Sequence, residues 1–132
     1  SFYLALRSGH CRSTCMVLDA DAWPLTRTWC IFEVLQTFEL LNSSIFANFN
    51  GLSLITSRGV LGHPAAECYD VALGLARRLS TLSVENATAG NEHDDATIKG
   101  MVKNMAGGFD AMDSFVRTNM REVMHRVQAN FH

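Results

Sequence analysis

Glu33 and Trp29 stand four residues apart, a spacing that brings two side chains to the same side of a helix. Asp19, Asp21 and Trp23 lie a few residues earlier, just after a continuous apolar run. A carboxylate near an aromatic ring can hydrogen-bond sugar hydroxyls and stabilise the positive charge that develops when a glycosidic bond breaks. These five residues are therefore candidates for a site at the carboxyl end of the predicted strand.

Each of these residues also has a purely structural interpretation. A carboxylate near the start of a helix stabilises the helix dipole by about 0.3–1 kcal/mol, which accounts for Glu33 without any catalysis. Trp29 can serve as a large aromatic of the core or its rim. Asp19 and Asp21 can cap the loop and the helix that follows it. The residues alone leave these interpretations open beside the catalytic one.

Two predicted helices and two predicted strands position the candidate site. Residues 2–7 have the pattern of a helix end closed by a Ser-Gly pair, because glycine adopts the left-handed conformation without strain. Residues 15–18 form a continuous apolar run, which is typical of a strand covered on both faces of a parallel sheet. A helix is predicted for residues 26–41, with Thr26 as its N-cap. A second strand is predicted at residues 52–55.

The second half of the chain is predicted to be mainly helical. A helix begins at Pro64 and continues to about residue 79, since proline suits a first helical turn. Residues 82–84 alternate weakly and predict a short third strand. Asn91 begins a further helix, which the Gly-Gly pair at 107–108 ends before a final helix. The apolar stripes of these last two helices are Ile98, Met101, Val102 and Met105, and then Met112, Phe115, Val116, Met120, Val123 and Val127.

The order of the predicted elements indicates a fold class. Strands that alternate with helices favour an α/β fold with a partial parallel sheet, flanked by helices and followed by a C-terminal helical hairpin. Apolar residues make up 48% of the 132 residues, which is enough for the core of one domain. We expect residues 1–90 to form the α/β core and residues 91–132 to pack on the same domain.

Composition narrows the classes of partner. The net charge of −2 provides no broadly basic surface for a phosphate backbone, so nucleic acid is not expected. Polar residues interrupt every apolar stretch before the ~20 residues that a membrane span requires. The four cysteines lack CxxC spacing and are expected to be reduced, mostly buried thiols of a cytoplasmic protein. His10, Cys11 and Cys15 make a poor tetrahedral set, so no metal is expected.

One segment carries a family resemblance. Residues 26–33 read TRTWCIFE, which resembles the Ser-x-x-Trp-Cys-x-x-Glu type signature of Toll/interleukin-1 receptor (TIR) domains. The preceding helix, apolar strand and loop follow the order of that family, and the sequence is similar to TIR-like modules of large multidomain proteins in unicellular eukaryotes. Thr26 replaces the usual serine and keeps its hydroxyl. The family's first strand and helix cannot be placed, so we expect the N-terminal part of such a domain to be missing.

The resemblance implies two functions and leaves a third outcome open. The first is a signalling or assembly module that self-associates or binds protein partners within a larger intracellular protein. The second is an NAD⁺ hydrolase, in which Glu33 is the essential carboxylate and Trp29 shapes the pocket together with Asp19, Asp21 and Trp23. NAD⁺ would then be the substrate, and no cofactor is expected. The third is a degenerate domain with no activity of its own.

Overall fold

The fold is described by a computed structural model that covers residues 2–43, 48–61 and 69–129. It confirms the predicted α/β class. Five α-helices, three strands and one 3-10 helix lie in these ranges. In chain order they are α1 (Phe2–Arg7), β1 (Thr14–Val17), the 3-10 helix (Trp23–Thr26), α2 (Thr28–Leu41), β2 (Leu52–Thr56), β3 (Gly59–Val60), α3 (Tyr69–Ser80), α4 (Glu92–Lys103) and α5 (Gly108–Ala129).

The sheet is mixed, in the order β1-β2-β3. Strands β1 and β2 pair in parallel, with Thr14 opposite Leu52 and Val17 opposite Ile55, and α2 forms the connection between them. Parallel strands require such a crossover, so the β1-α2-β2 unit follows directly from the predicted elements. Strand β3 pairs antiparallel with β2 through a tight turn. The sequence prediction did not include β3.

The third strand predicted at residues 82–84 is wrong, because this segment is a loop. Side chains of α5 bind the backbone groups that a neighbouring strand would otherwise pair. The backbone N–H of Val84 donates to Asp113 Oδ1 at 2.9 Å. The guanidinium of Arg117 donates to the carbonyl oxygens of Leu79 and Leu82 at 3.0 and 3.2 Å. Leu82 and Val84 are nevertheless buried in the core.

The core lies against one face of the sheet. Met16, Leu52 and Leu54 are buried there in the same cluster as residues of α2, α3, α4 and α5. On β1 the burial alternates, and Val17 keeps 70% of its surface exposed. The prediction that this strand is covered on both faces is therefore wrong for the described part of the chain. A continuous apolar run in sequence does not distinguish a strand buried on both faces from one buried on a single face.

Helix α2 begins later than predicted. Thr26 belongs to the 3-10 helix, where its hydroxyl donates to the carbonyl oxygen of Trp23 at 2.7 Å, so its prediction as the N-cap is wrong. Pro24 favours an early helical turn and explains this extra element. The N-cap of α2 is Arg27, with no side-chain capping bond. Thr28 is fully buried, and its hydroxyl donates to Asp95 Oδ1 of α4 at 2.5 Å.

Helices α4 and α5 form the predicted C-terminal hairpin and contact both each other and α2. Asn91 is the N-cap of α4, as predicted, because its side chain accepts from the N–H groups of His93 and Asp94. The predicted α4 stripe is only half buried: Ile98 and Val102 lie in the core, whereas Met101 is 46% exposed and Met105 lies beyond the helix end.

Several predictions need correction or fall outside the described residues. Helix α4 ends at Lys103, so the glycines at 107–108 precede and open α5 instead of ending α4. Cys15 is exposed and Cys11 and Cys30 are half-buried, so the expectation of mostly buried thiols is wrong for these three. The fourth cysteine, Cys68, the predicted helix start at Pro64 and the side chain of Val127 lie outside the described residues.

Candidate functional site

The loop after β1 positions the first of the candidate residues. Asp19 Oδ1 accepts a hydrogen bond from the backbone N–H of Trp23 at 3.0 Å, which closes the loop at the start of the 3-10 helix. Ala22, inside this loop, is fully buried and has a φ of +49°. A non-glycine residue tolerates this conformation only where its surroundings hold it there. Asp19 thus performs the capping role that the structural interpretation assigns to it.

Glu33 lies in a hollow of about 170 Å³ between α2 and the sheet, where residues of β1 and Leu52 of β2 line it. Val34, Cys30 and Pro24 line the same hollow, and on the strand side so does Cys15. Glu33 is half-buried, and burial raises the pKa of its carboxyl group above the ordinary value. Burial, followed by the negative charge of Glu33, likewise raises the pKa of the Cys30 thiol.

Trp23 and Trp29 line a neighbouring cavity of about 330 Å³, which we call the tryptophan cavity. The two indole side chains remain 55% and 45% exposed. Arg27 also lines this cavity. Pro24 and Cys30 line both this cavity and the hollow of Glu33, so they lie between the two. The Trp29 ring packs edge-to-face against Phe32 with centroids 6.4 Å apart. Trp29 and Glu33 therefore line adjacent cavities and not one shared pocket.

Asp21 lines a third cavity, of about 310 Å³, between the loop after β1 and the end of α3. Its backbone carbonyl oxygen accepts from Arg78 Nε at 3.0 Å. Arg77 and Arg78 also line this cavity, and neither residue was among the candidates predicted from the sequence. Basic residues are common in the last turn of a helix, where they stabilise the helix dipole. Two arginines there therefore give no sign in the sequence that they contact the loop after β1.

Other kinds of site find no support in the described ranges. Within residues 2–43, 48–61 and 69–129, no three His, Cys, Asp or Glu side chains are grouped as metal ligands. His10 and Cys11 line a polar hollow on a different part of the surface from Cys15. None of the helices in the same ranges has the length and apolar character needed to cross a bilayer.

No protein-family model matches this sequence, no curated protein matches it significantly, and no solved structure matches its fold significantly. The candidate residues line three cavities: the hollow of Glu33, the tryptophan cavity, and the arginine-lined cavity at Asp21. Asp19 lines none of these three cavities.

Proposed function

We propose that this chain is a TIR-like assembly module of a larger intracellular protein and that it self-associates through the surface around the tryptophan cavity. The observation that carries this proposal is the exposure of two tryptophans, Trp23 and Trp29, around one cavity with Arg27 on its wall. Tryptophan and arginine are enriched among the few residues that supply most of the binding energy at protein interfaces.

The charges beside the tryptophans favour a second copy of the chain as the partner. Asp19 and Asp21 precede Trp23, whereas Arg27 lies between the two tryptophans. In a twofold dimer each surface meets itself, so the acidic loop of one copy can face the arginine of the other. Acidic and basic residues thus flank Trp23 along the chain, and a segment with both signs of charge is suited to such a contact.

Sedimentation velocity over a wide range of protein concentrations tests this proposal. We expect a monomer–dimer equilibrium in the wild type and a dissociation constant at least about thirtyfold weaker in Trp29→Ala, the cost of losing one energetically dominant side chain. Arg27→Glu should also weaken the dimer, by placing like charges opposite each other. Met101→Ala is the control, because Met101 is about as exposed as Trp29 but lies on α4.

Two results would contradict self-association through this surface. The first is a wild-type chain that stays monomeric at every concentration. The second is a dimer that Trp29→Ala and Arg27→Glu leave as stable as the Met101→Ala control.

A second candidate function, NAD⁺ hydrolysis, is favoured by the environment of Glu33. This carboxyl group is half-buried in a hollow, and its pKa is raised by burial. An ionised carboxylate there can hydrogen-bond the ribose hydroxyls and stabilise the positive ribose carbon while the bond to nicotinamide breaks. Water then adds to that carbon and loses a proton, which yields ADP-ribose. Nicotinamide leaves with the electron pair of the broken bond.

Nicotinamide release from NAD⁺ tests this second candidate. Glu33→Gln keeps the size and helical preference of the side chain, and it should abolish release. Glu39→Gln is the matched control, because Glu39 is an exposed carboxylate of the same helix and should have no effect. Equal release by Glu33→Gln and Glu39→Gln, or no release by folded wild type, would refute the enzyme candidate and leave the assembly proposal untouched.

A further inference from the structure

The arginine-lined cavity at the end of α3 has the charge of an anion site. Arg77 and Arg78 both line it, and Asp21 is the acidic residue of the lining. In the part of the chain that the structure describes, neither arginine forms a salt bridge; the ion pair there joins Lys99 to Asp95. The two arginines outnumber the one aspartate of the lining, so the cavity carries a net positive charge that no described carboxylate neutralises.

The walls of this cavity are held in place by close backbone contact. A Cβ atom on Gly74 of α3 would stand 1.7 Å from the carbonyl oxygen of Ala20, so the loop after β1 lies directly against the helix. Arg78 Nε donates a hydrogen bond to the backbone carbonyl oxygen of Asp21 at 3.0 Å, which holds the same loop against α3. The Arg78 guanidinium also lies over the Trp23 ring, 6.0 Å from its centroid. A guanidinium restrained in this way loses little freedom when it binds an anion.

We propose that this cavity binds the phosphate group of a small hydroxylated phosphate monoester. Guanidinium groups match the geometry of phosphate oxygens and form strong charge-assisted hydrogen bonds with them. The carboxylate of Asp21 repels phosphate oxygens, but it accepts a hydrogen bond from a hydroxyl group of the same ligand. The pairing of two arginines with one aspartate therefore selects a phosphate that carries a neighbouring hydroxyl over a bare phosphate ion.

The position of the cavity agrees with this assignment. It lies beside the loop at the carboxyl end of β1, and open α/β sheets commonly bind ligands at this end of their strands. Its volume of about 310 Å³ is at the small end of ligand sites, which suits a small molecule. Arg77 lines neither the tryptophan cavity nor the hollow of Glu33, so a change at Arg77 separates phosphate binding from self-association through Trp29 and from NAD⁺ cleavage.

Titrations followed by nitrogen–proton correlation spectra test the proposal with three probes: glycerol 3-phosphate, inorganic phosphate and glycerol. We expect saturable shifts of amide signals near Asp21 and Thr81 with glycerol 3-phosphate, weaker binding of inorganic phosphate, and no binding of glycerol. Arg77→Ala should weaken glycerol 3-phosphate binding about tenfold or more, the loss of one charge-assisted hydrogen bond. Arg121→Ala is the control, since Arg121 is an exposed arginine of α5 that does not line the cavity.

Asp21→Ala tests the part played by the hydroxyl group. Removal of the carboxylate should strengthen the binding of inorganic phosphate and abolish the preference for glycerol 3-phosphate. Equal wild-type affinity for these two probes would overturn the assignment to a hydroxylated monoester. No saturable shift with either probe, or an Arg77→Ala variant that binds like Arg121→Ala, would overturn the site itself. The spectra report folding of each variant in the same experiment.

Discussion

The close packing of α3 against the loop after β1 predicts that Gly74→Ala destabilises the protein. The added Cβ would lie 1.7 Å from the Ala20 carbonyl oxygen and 2.8 Å from its carbonyl carbon, so the two backbones must separate by more than an ångström. Overpacking of this kind costs about 1–3 kcal/mol, and a contact with backbone lies at the upper end because no side chain can rotate away. Alanine favours a helix over glycine by about 1 kcal/mol, which offsets part of this cost. We expect a net loss of about 2 kcal/mol.

Urea unfolding followed by circular dichroism measures this loss. Gly100→Ala provides the matched control, because Gly100 lies inside α4 and a Cβ there would meet no atom within 4 Å. The same chemical change should therefore stabilise the protein by up to about 1 kcal/mol at that position. The free energies of unfolding of the two variants should move in opposite directions. A Gly74→Ala variant as stable as Gly100→Ala would refute the packing of α3 against the loop.

Three further predictions concern caps and titrating groups. Asn91→Ala removes the side chain that caps α4 and should lower the free energy of unfolding in urea by about 1 kcal/mol. Hydrogen bonds from Thr28 and then Lys99 lower the pKa of Asp95. The ionised carboxylate therefore stabilises the fold above the ordinary pKa of the group, and this stabilisation is lost as the pH falls through the lowered pKa. Thr28→Val should reduce this acid dependence in thermal melts recorded over a pH series. Burial raises the pKa of Glu33, so its ionised form destabilises the fold at neutral pH. Glu33→Gln should therefore raise the melting temperature at neutral pH, and this gain should disappear below the ordinary carboxyl pKa.

The β1-α2-β2 unit could be predicted from the sequence because each of its elements has a local signal. The period of Ile31, Leu35 and Phe38 marks the buried face of α2, and all three lie in the core. The loop at residues 82–84 has no such signal. Its backbone is bound by Asp113 and Arg117, which lie 29 residues from Val84 and 35 residues from Leu82. The weak alternation of side chains at residues 82–84 carries no sign of these distant partners.

The sequence does not indicate how the candidate site residues are divided among separate cavities. Asp21, Trp23, Trp29 and Glu33 line three different cavities, whereas Asp19 lines none of the three. Their separation depends on Pro24 and Cys30, which line two of the cavities at once. The hydrogen bond from Arg78 to Asp21 joins residues that are 57 positions apart, and short-range sequence patterns carry no information about such a pair.

The hydrogen bond between Thr28 and Asp95 spans 67 residues and joins the start of α2 to the first turn of α4. Because Thr28 is fully buried there, the first turn of α2 reaches its native surroundings only after the C-terminal hairpin has docked. Contacts between such distant residues close a long loop and slow folding. We therefore expect the hairpin to dock late and cooperatively during folding. If the chain were cut between α3 and α4, each piece would expose part of one shared core, and neither piece would fold alone.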